Sequence, residues 1–125
     1  MDSEPRVVLT TAPDMDTARR LGRDLVEQRL AACVQLVPGA VSLYSWEGKV
    51  QEESEVLLLA KTASARVSAL EEFLTREHPY ETPECIAVAA DRVAPRYAAW
   101  LLDWVGTRDG CDQGVGGERA KDGRA

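Results

Sequence analysis

The sequence predicts an α+β domain whose elements run in the order β-α-β-β-α-β, with one further helix at the C-terminal end. Three observations carry that prediction. Apolar residues recur with strand-like spacing in four stretches and with helix-like spacing between them. Only two residues, Glu47-Gly48, separate the two longest strand-like runs, the spacing of a tight hairpin. The 125 residues, 45% hydrophobic and 29% charged, suit a single domain with its own core.

The elements follow in chain order. RVVLTT (6 to 11) is a short β-branched run and reads as the first strand. Asp14 can cap the helix after it, in which Ala18, Leu21, Leu25 and Ala32 recur at near-helical spacing. Gly22 in that helix costs about 1 kcal/mol against alanine, which predicts a close neighbour. CVQLVPGAVSLYSW (33 to 46) reads as a strand broken at a Pro-Gly corner, and KVQEESEVLLLAK (49 to 61) as its hairpin partner. Ser64 opens a second helix with Val67, Leu70, Phe73 and Leu74 on one stripe, stopped by Pro79. CIAVAA (85 to 90) reads as a final buried strand. Pro95 suits the first turn of the last helix, with Tyr97, Trp100, Leu101, Trp104 and Val105 on its apolar side. Two right-handed split crossovers in this order build a ferredoxin-like sandwich, a four-stranded antiparallel sheet with two helices on one face.

Residues 1 to 106 form this domain. The remainder, 107 to 125, is predicted to be a disordered glycine-rich, charged tail, because it holds one branched aliphatic residue and four charges of each sign. The net charge of −6 argues against nucleic-acid and membrane-surface partners, which require clustered lysine and arginine. No apolar run reaches the ~20 residues of a membrane span, and the N-terminal acids do not suit a secretory signal, so the expected location is cytoplasmic. Cys33, Cys85 and Cys111 are odd in number and lack metal-type spacing. Cys33 and Cys85 are expected to act as small buried hydrophobes.

The hairpin predicts self-association. Residues 49 to 61 contain no Pro or Gly and extend about 43 Å at roughly 3.3 Å per residue, more than a domain of ~100 residues spans. The tip carries Ser42, Tyr44 and Trp46 on one face and Val41 and Leu43 on the other, and Lys49 faces Trp46 across the turn for a cation–π contact. A long apolar ribbon at a sheet edge is a liability unless copies of the chain cover it in a closed ring.

The candidate site is HPYETPE, residues 78 to 84, with the only histidine of the chain. Two prolines make it rigid. His78 suits copper or zinc, and Glu77, Glu81 and Glu84 could add oxygen ligands; one histidine falls short of a tight soft-metal site, so a last-turn helix cap is the favoured reading. Tyr80 is expected to aim its hydroxyl at a partner. Lys61, ending an apolar strand, could meet a carboxylate such as Glu84, bind an anion, or reach water.

TAPD (11 to 14), LAACV (30 to 34), PGAVSLYSWEGKV (38 to 50), LLLAKT (57 to 62) and HPYETPE resemble the CutA divalent-cation tolerance family, from about Val7 to Val105. The resemblance implies a PII-like homotrimer joined through the hairpins at Tyr44, Trp46 and Lys49. Between subunits it implies clefts near Thr11, Gln35, Lys61, Tyr80 and Glu84. It also implies a role in the response to metal ions, with copper or another divalent cation bound near His78, Glu77 and Glu81 and none required for folding. No enzymatic reaction is implied. Metal-binding members can carry cysteine where this chain has Thr10 and histidine where it has Glu77, so copper binding transfers weakly. A second reading is a PII-like signalling module whose clefts take an unknown small molecule or protein. No phosphate loop, dinucleotide motif or nucleophile–base pair is visible, and EESEVLLLAK lacks the stacking aromatics of an RNA-recognition sheet.

Overall fold

Local chemistry sets where each element starts and stops. The computed structural model describes residues 3 to 106; the tail expected to be disordered, with Cys111, lies outside the described residues. Strand β1 spans Pro5–Ala12 and helix α1 spans Met15–Glu27. Asp14 caps α1 by accepting the Thr17 N–H at 2.8 Å. The helix ends as Arg29 turns left-handed (φ 60°), and Ala32 therefore falls beyond α1 rather than on its stripe. There it packs with Ala63 and with Leu101 and Val105 of the last helix.

Strands β2 (Cys33–Trp46) and β3 (Lys49–Ala63) form the hairpin. Glu47 and Gly48 both take positive φ, 51° and 80°, the two-residue turn that matches the twist of its strands. The Pro-Gly corner does not end β2. It is a bulge, where the register with β3 shifts between Val37 and Ala40. After a single 3-10 turn at Ser64–Arg66, helix α2 runs Val67–Glu77; strand β4 is Ile86–Ala89 and helix α3 is Pro95–Val105.

The antiparallel sheet has the order β2-β3-β1-β4, the ferredoxin-like arrangement, with β2 and β4 at its edges. Val8 and Ala12 of β1 and Val56, Leu58 and Ala60 of β3 share one face. Leu21 and Leu25 of α1 and Leu70, Phe73 and Leu74 of α2 cover that face. Gly22 lets α1 approach β2: a Cβ there would sit 3.4 Å from Val34 and 3.5 Å from Leu36. Helix α3 grips the end of α1, with the Trp104 indole N–H donating to the Val26 carbonyl at 3.0 Å and the Arg29 guanidinium 3.9 Å over the Trp104 ring.

Two expectations need correction. Strand β4 is not buried: all four of its residues are exposed in one chain, because β4 is an edge strand whose Ile86 and Val88 alternate onto the face away from the helices. Cys33 and Cys85 are free but only half-buried. Burial, helped by Glu71 and Glu84, pushes the Cys85 thiol up. Among the described residues no helix is long and apolar enough to cross a membrane.

Candidate functional site

Pro79 requires an extended residue before it, and His78 supplies one (φ −80°, ψ 142°) while its N–H still closes α2 on the Leu74 carbonyl at 3.0 Å. His78 is thus the C-cap of α2. The backbone turns its ring inward, where it is 7% exposed. Nε2 lies 2.6 Å from the Thr11 carbonyl, and Nδ1 lies 3.0 Å from the Tyr80 amide nitrogen. A carbonyl can only accept and an amide N–H can only donate. The neutral ring therefore carries its proton on Nε2 and its lone pair on Nδ1. Both nitrogens are already engaged.

The Tyr80 ring lies 4.7 Å from that of His78, and its hydroxyl donates to Glu55 Oε2 at 2.7 Å. The other Glu55 oxygen accepts the Ser42 hydroxyl at 2.6 Å. Burial first, then the Glu55 carboxylate, raises the Tyr80 hydroxyl well above the ordinary tyrosine range. The Tyr44 hydroxyl is raised too, by desolvation and then by Glu53 and Glu55. Four segments, at Thr11, Ser42, Glu55 and 78 to 80, thus meet in one polar chain.

The proposed metal set does not assemble around His78. Glu77 reaches Arg20 at 3.7 Å and Arg76 at 3.5 Å. Glu81 is exposed. Among the described residues no group of three or more His, Cys, Asp or Glu side chains is gathered as a metal shell. A resident copper does not fit here, since the one lone pair of the imidazole, on Nδ1, already accepts the Tyr80 N–H. Thr10 is fully buried, and its hydroxyl has no partner among the described residues.

The residues expected in a cleft divide between two places. Thr11, Gln35 and Lys61 share the sheet face opposite the helices with Val7, Leu9, Leu57 and Leu59. Lys61 does not meet Glu84; its ammonium donates to the Gln35 side-chain carbonyl at 2.6 Å, because Gln35 and Lys61 alternate onto the same side of adjacent strands. Tyr80 belongs to the polar chain, while Glu84 lies half-buried beside Cys85. Trp46 and Lys49 are opposed at the hairpin tip, but the cation–π contacts among the described residues are Arg29–Trp104 and Arg76–Phe73. The sequence reading missed Ser42 and Glu55 as a pair. The available signal was Glu55 itself, a carboxylate on the strand face that carries Leu57 and Leu59.

Residues 6 to 103 match the family model described as CutA1 divalent ion tolerance protein. A divalent-cation tolerance protein CutA from Pectobacterium atrosepticum is 47% identical over 95 residues, 76% of this chain and 86% of the relative. Protein CutA from Mus musculus is 46% identical over 91 residues, 73% of this chain; the match spans about half, 51%, of the mouse protein. The crystal structure of CutA from Xylella fastidiosa superposes with a TM-score of 0.80 at 40% identity, covering 82% of this chain and 98% of that one.

Proposed function

The chain belongs to the CutA1 divalent ion tolerance protein family, and from that premise we propose that it is a non-enzymatic, cytoplasmic homotrimer acting in the response to divalent cations. The observation that carries this reading is the apolar surface left bare on one chain. Leu43, Trp46 and Val50 on the outer ribbon are 66%, 61% and 76% exposed, and Ile86 and Val88 add to the uncovered sheet face. Monomers rarely leave such a surface to water. The two free edges, β2 and β4, differ, so pairing one copy's edge with the other edge of its neighbour is heterologous, the contact type that builds a ring when the rotation between copies closes. Three copies is the number the family resemblance supplies.

The cation role in this proposal is weak and transient contact, for copper or another divalent ion, at exposed carboxylates such as Glu81. His78 is left to hold the loop. Light scattering at micromolar concentration is expected to give three times the mass of one chain; the mass of a single chain would overturn the assembly. Calorimetric copper titration is expected to show the same weak binding in wild type and His78→Ala. Loss of binding in the variant would return His78 to the metal.

One observation favours a second reading, a PII-like module for a small anion. Lys61 is half-buried on the open sheet face, with Gln35 as its partner and no carboxylate paired to it among the described residues. A thermal-shift screen separates the two readings, since a ligand stabilises in proportion to its saturation. Stabilisation by anionic metabolites that Lys61→Met abolishes supports the second; a response to metal ions alone counts against it.

A further inference from the structure

The β2–β3 ribbon changes character at its bulge. Gly39 sits there at φ 87°, and beyond it the strands leave the cover of the helices. A bulge bends and twists the ribbon, so the course of the outer half depends on what holds that bend. Glu55 stands opposite Ala40, the first pair after the register shift, and Ser42 lies two residues further along β2. The Glu55 carboxylate joins them to the loop, with Ser42 on Oε1 at 2.6 Å and Tyr80 on Oε2 at 2.7 Å. Behind Tyr80, the His78 ring fixes the loop to the Thr11 carbonyl of β1 at 2.6 Å. Hydrogen bonds to an ionised acceptor are short and about twice as strong as neutral ones. Pro79 and Pro83 limit the loop's alternatives.

We propose that Ser42, Glu55 and Tyr80 form a latch coupling the HPYETPE loop to the bend of the hairpin, so that opening either end loosens both. The loop then governs the direction of the outer ribbon. A ligand or partner that draws Tyr80 away from Glu55 changes the direction of Tyr44 and Trp46 without touching them. The three residues act as positioning residues, and the device needs no chemical step.

Amide hydrogen exchange on the full chain tests the coupling. Tyr80→Phe removes one hydroxyl and keeps the ring against His78; Ser42→Ala removes the other hydroxyl from the ribbon side. Tyr80→Phe is expected to speed exchange at residues 40 to 46, and Ser42→Ala at residues 80 to 82, each by about tenfold or more, the loss of one hydrogen bond to a charged acceptor. In the double variant the effects should be less than additive, as for groups sharing one partner. Acceleration confined to each variant's own segment, fully additive effects, or no change in either segment would overturn the latch. Circular dichroism of both variants should match wild type, since each loses a single oxygen atom.

Discussion

The inner and outer halves of the β2–β3 ribbon are built to opposite ends. From Val56 to Ala60, every second residue is buried against helices α1 and α2, and the strand is held on both sides by β1 and β2. From Lys49 to Glu55 the alternation stops: the stretch is polar apart from Val50, which is largely exposed, and β2 is its sole strand neighbour. The inner half is stabilised within one chain. The outer half of the ribbon gains nothing comparable there, so its exposed Leu43, Tyr44 and Trp46 on β2 and Val50 on β3 have to be explained by association or function. The bulge at Val37/Ala40 and the Glu55 carboxylate stand at the boundary.

Substitutions should separate the halves. Leu58→Ala, in the fully buried inner row, is expected to cost about 2–5 kcal/mol through lost transfer energy and a cavity; denaturant unfolding measures it. A cost near zero would place the core elsewhere. Leu43→Ser, in the outer half, should leave circular dichroism unchanged and weaken self-association by about tenfold or more, a loss on the order of 1.4 kcal/mol for one buried aliphatic contact. Sedimentation across a dilution series reads that change. An unaltered mass at every dilution would show that the outer ribbon is not the meeting surface.

Smaller effects sharpen the picture of the inner half. Thr10→Val replaces a fully buried hydroxyl that has no partner among the described residues with a methyl of similar shape. It should stabilise by about 1 kcal/mol, seen as a raised melting temperature. A drop would mean the hydroxyl is satisfied in the assembled protein. Asp14→Ala should lower the denaturant midpoint slightly at neutral pH. The Thr17 amide holds the Asp14 carboxyl below its ordinary value, so its contribution is present above an unfolded pKa of about 3.9 and fades as pH falls through the lower folded value. Midpoints of variant and wild type measured from pH 7 downward should therefore converge in acid.

The fold was largely legible because its punctuation is local. Asp14, Glu47-Gly48, Pro79 and Pro95 each act within a turn or two of their position, and all four set the boundaries predicted for them. Gly22 was legible for the same reason, since a helical glycine is costly without a close neighbour. Burial of β4 was not legible. A run of apolar residues looks alike whether its strand is central or at an edge, and strand order is settled by crossovers. Ala32 was misplaced because a helical spacing continues on paper past the residue where Arg29 turns left-handed. The site was less legible than the fold. HPYETPE was identified as a rigid corner with Tyr80 seeking a partner, but neither Glu55 nor the double engagement of His78 could be read.

By itself, the sequence determined the order of the elements, the hairpin turn and the family motifs, because those depend on spacing within a few residues. Only the tertiary structure decided that Tyr80 meets Glu55, that Lys61 meets Gln35 and that His78 reaches Thr11. Those partners lie 25, 26 and 67 residues apart. Their meeting depends on strand register, where a slip of one residue turns every side chain to the opposite face.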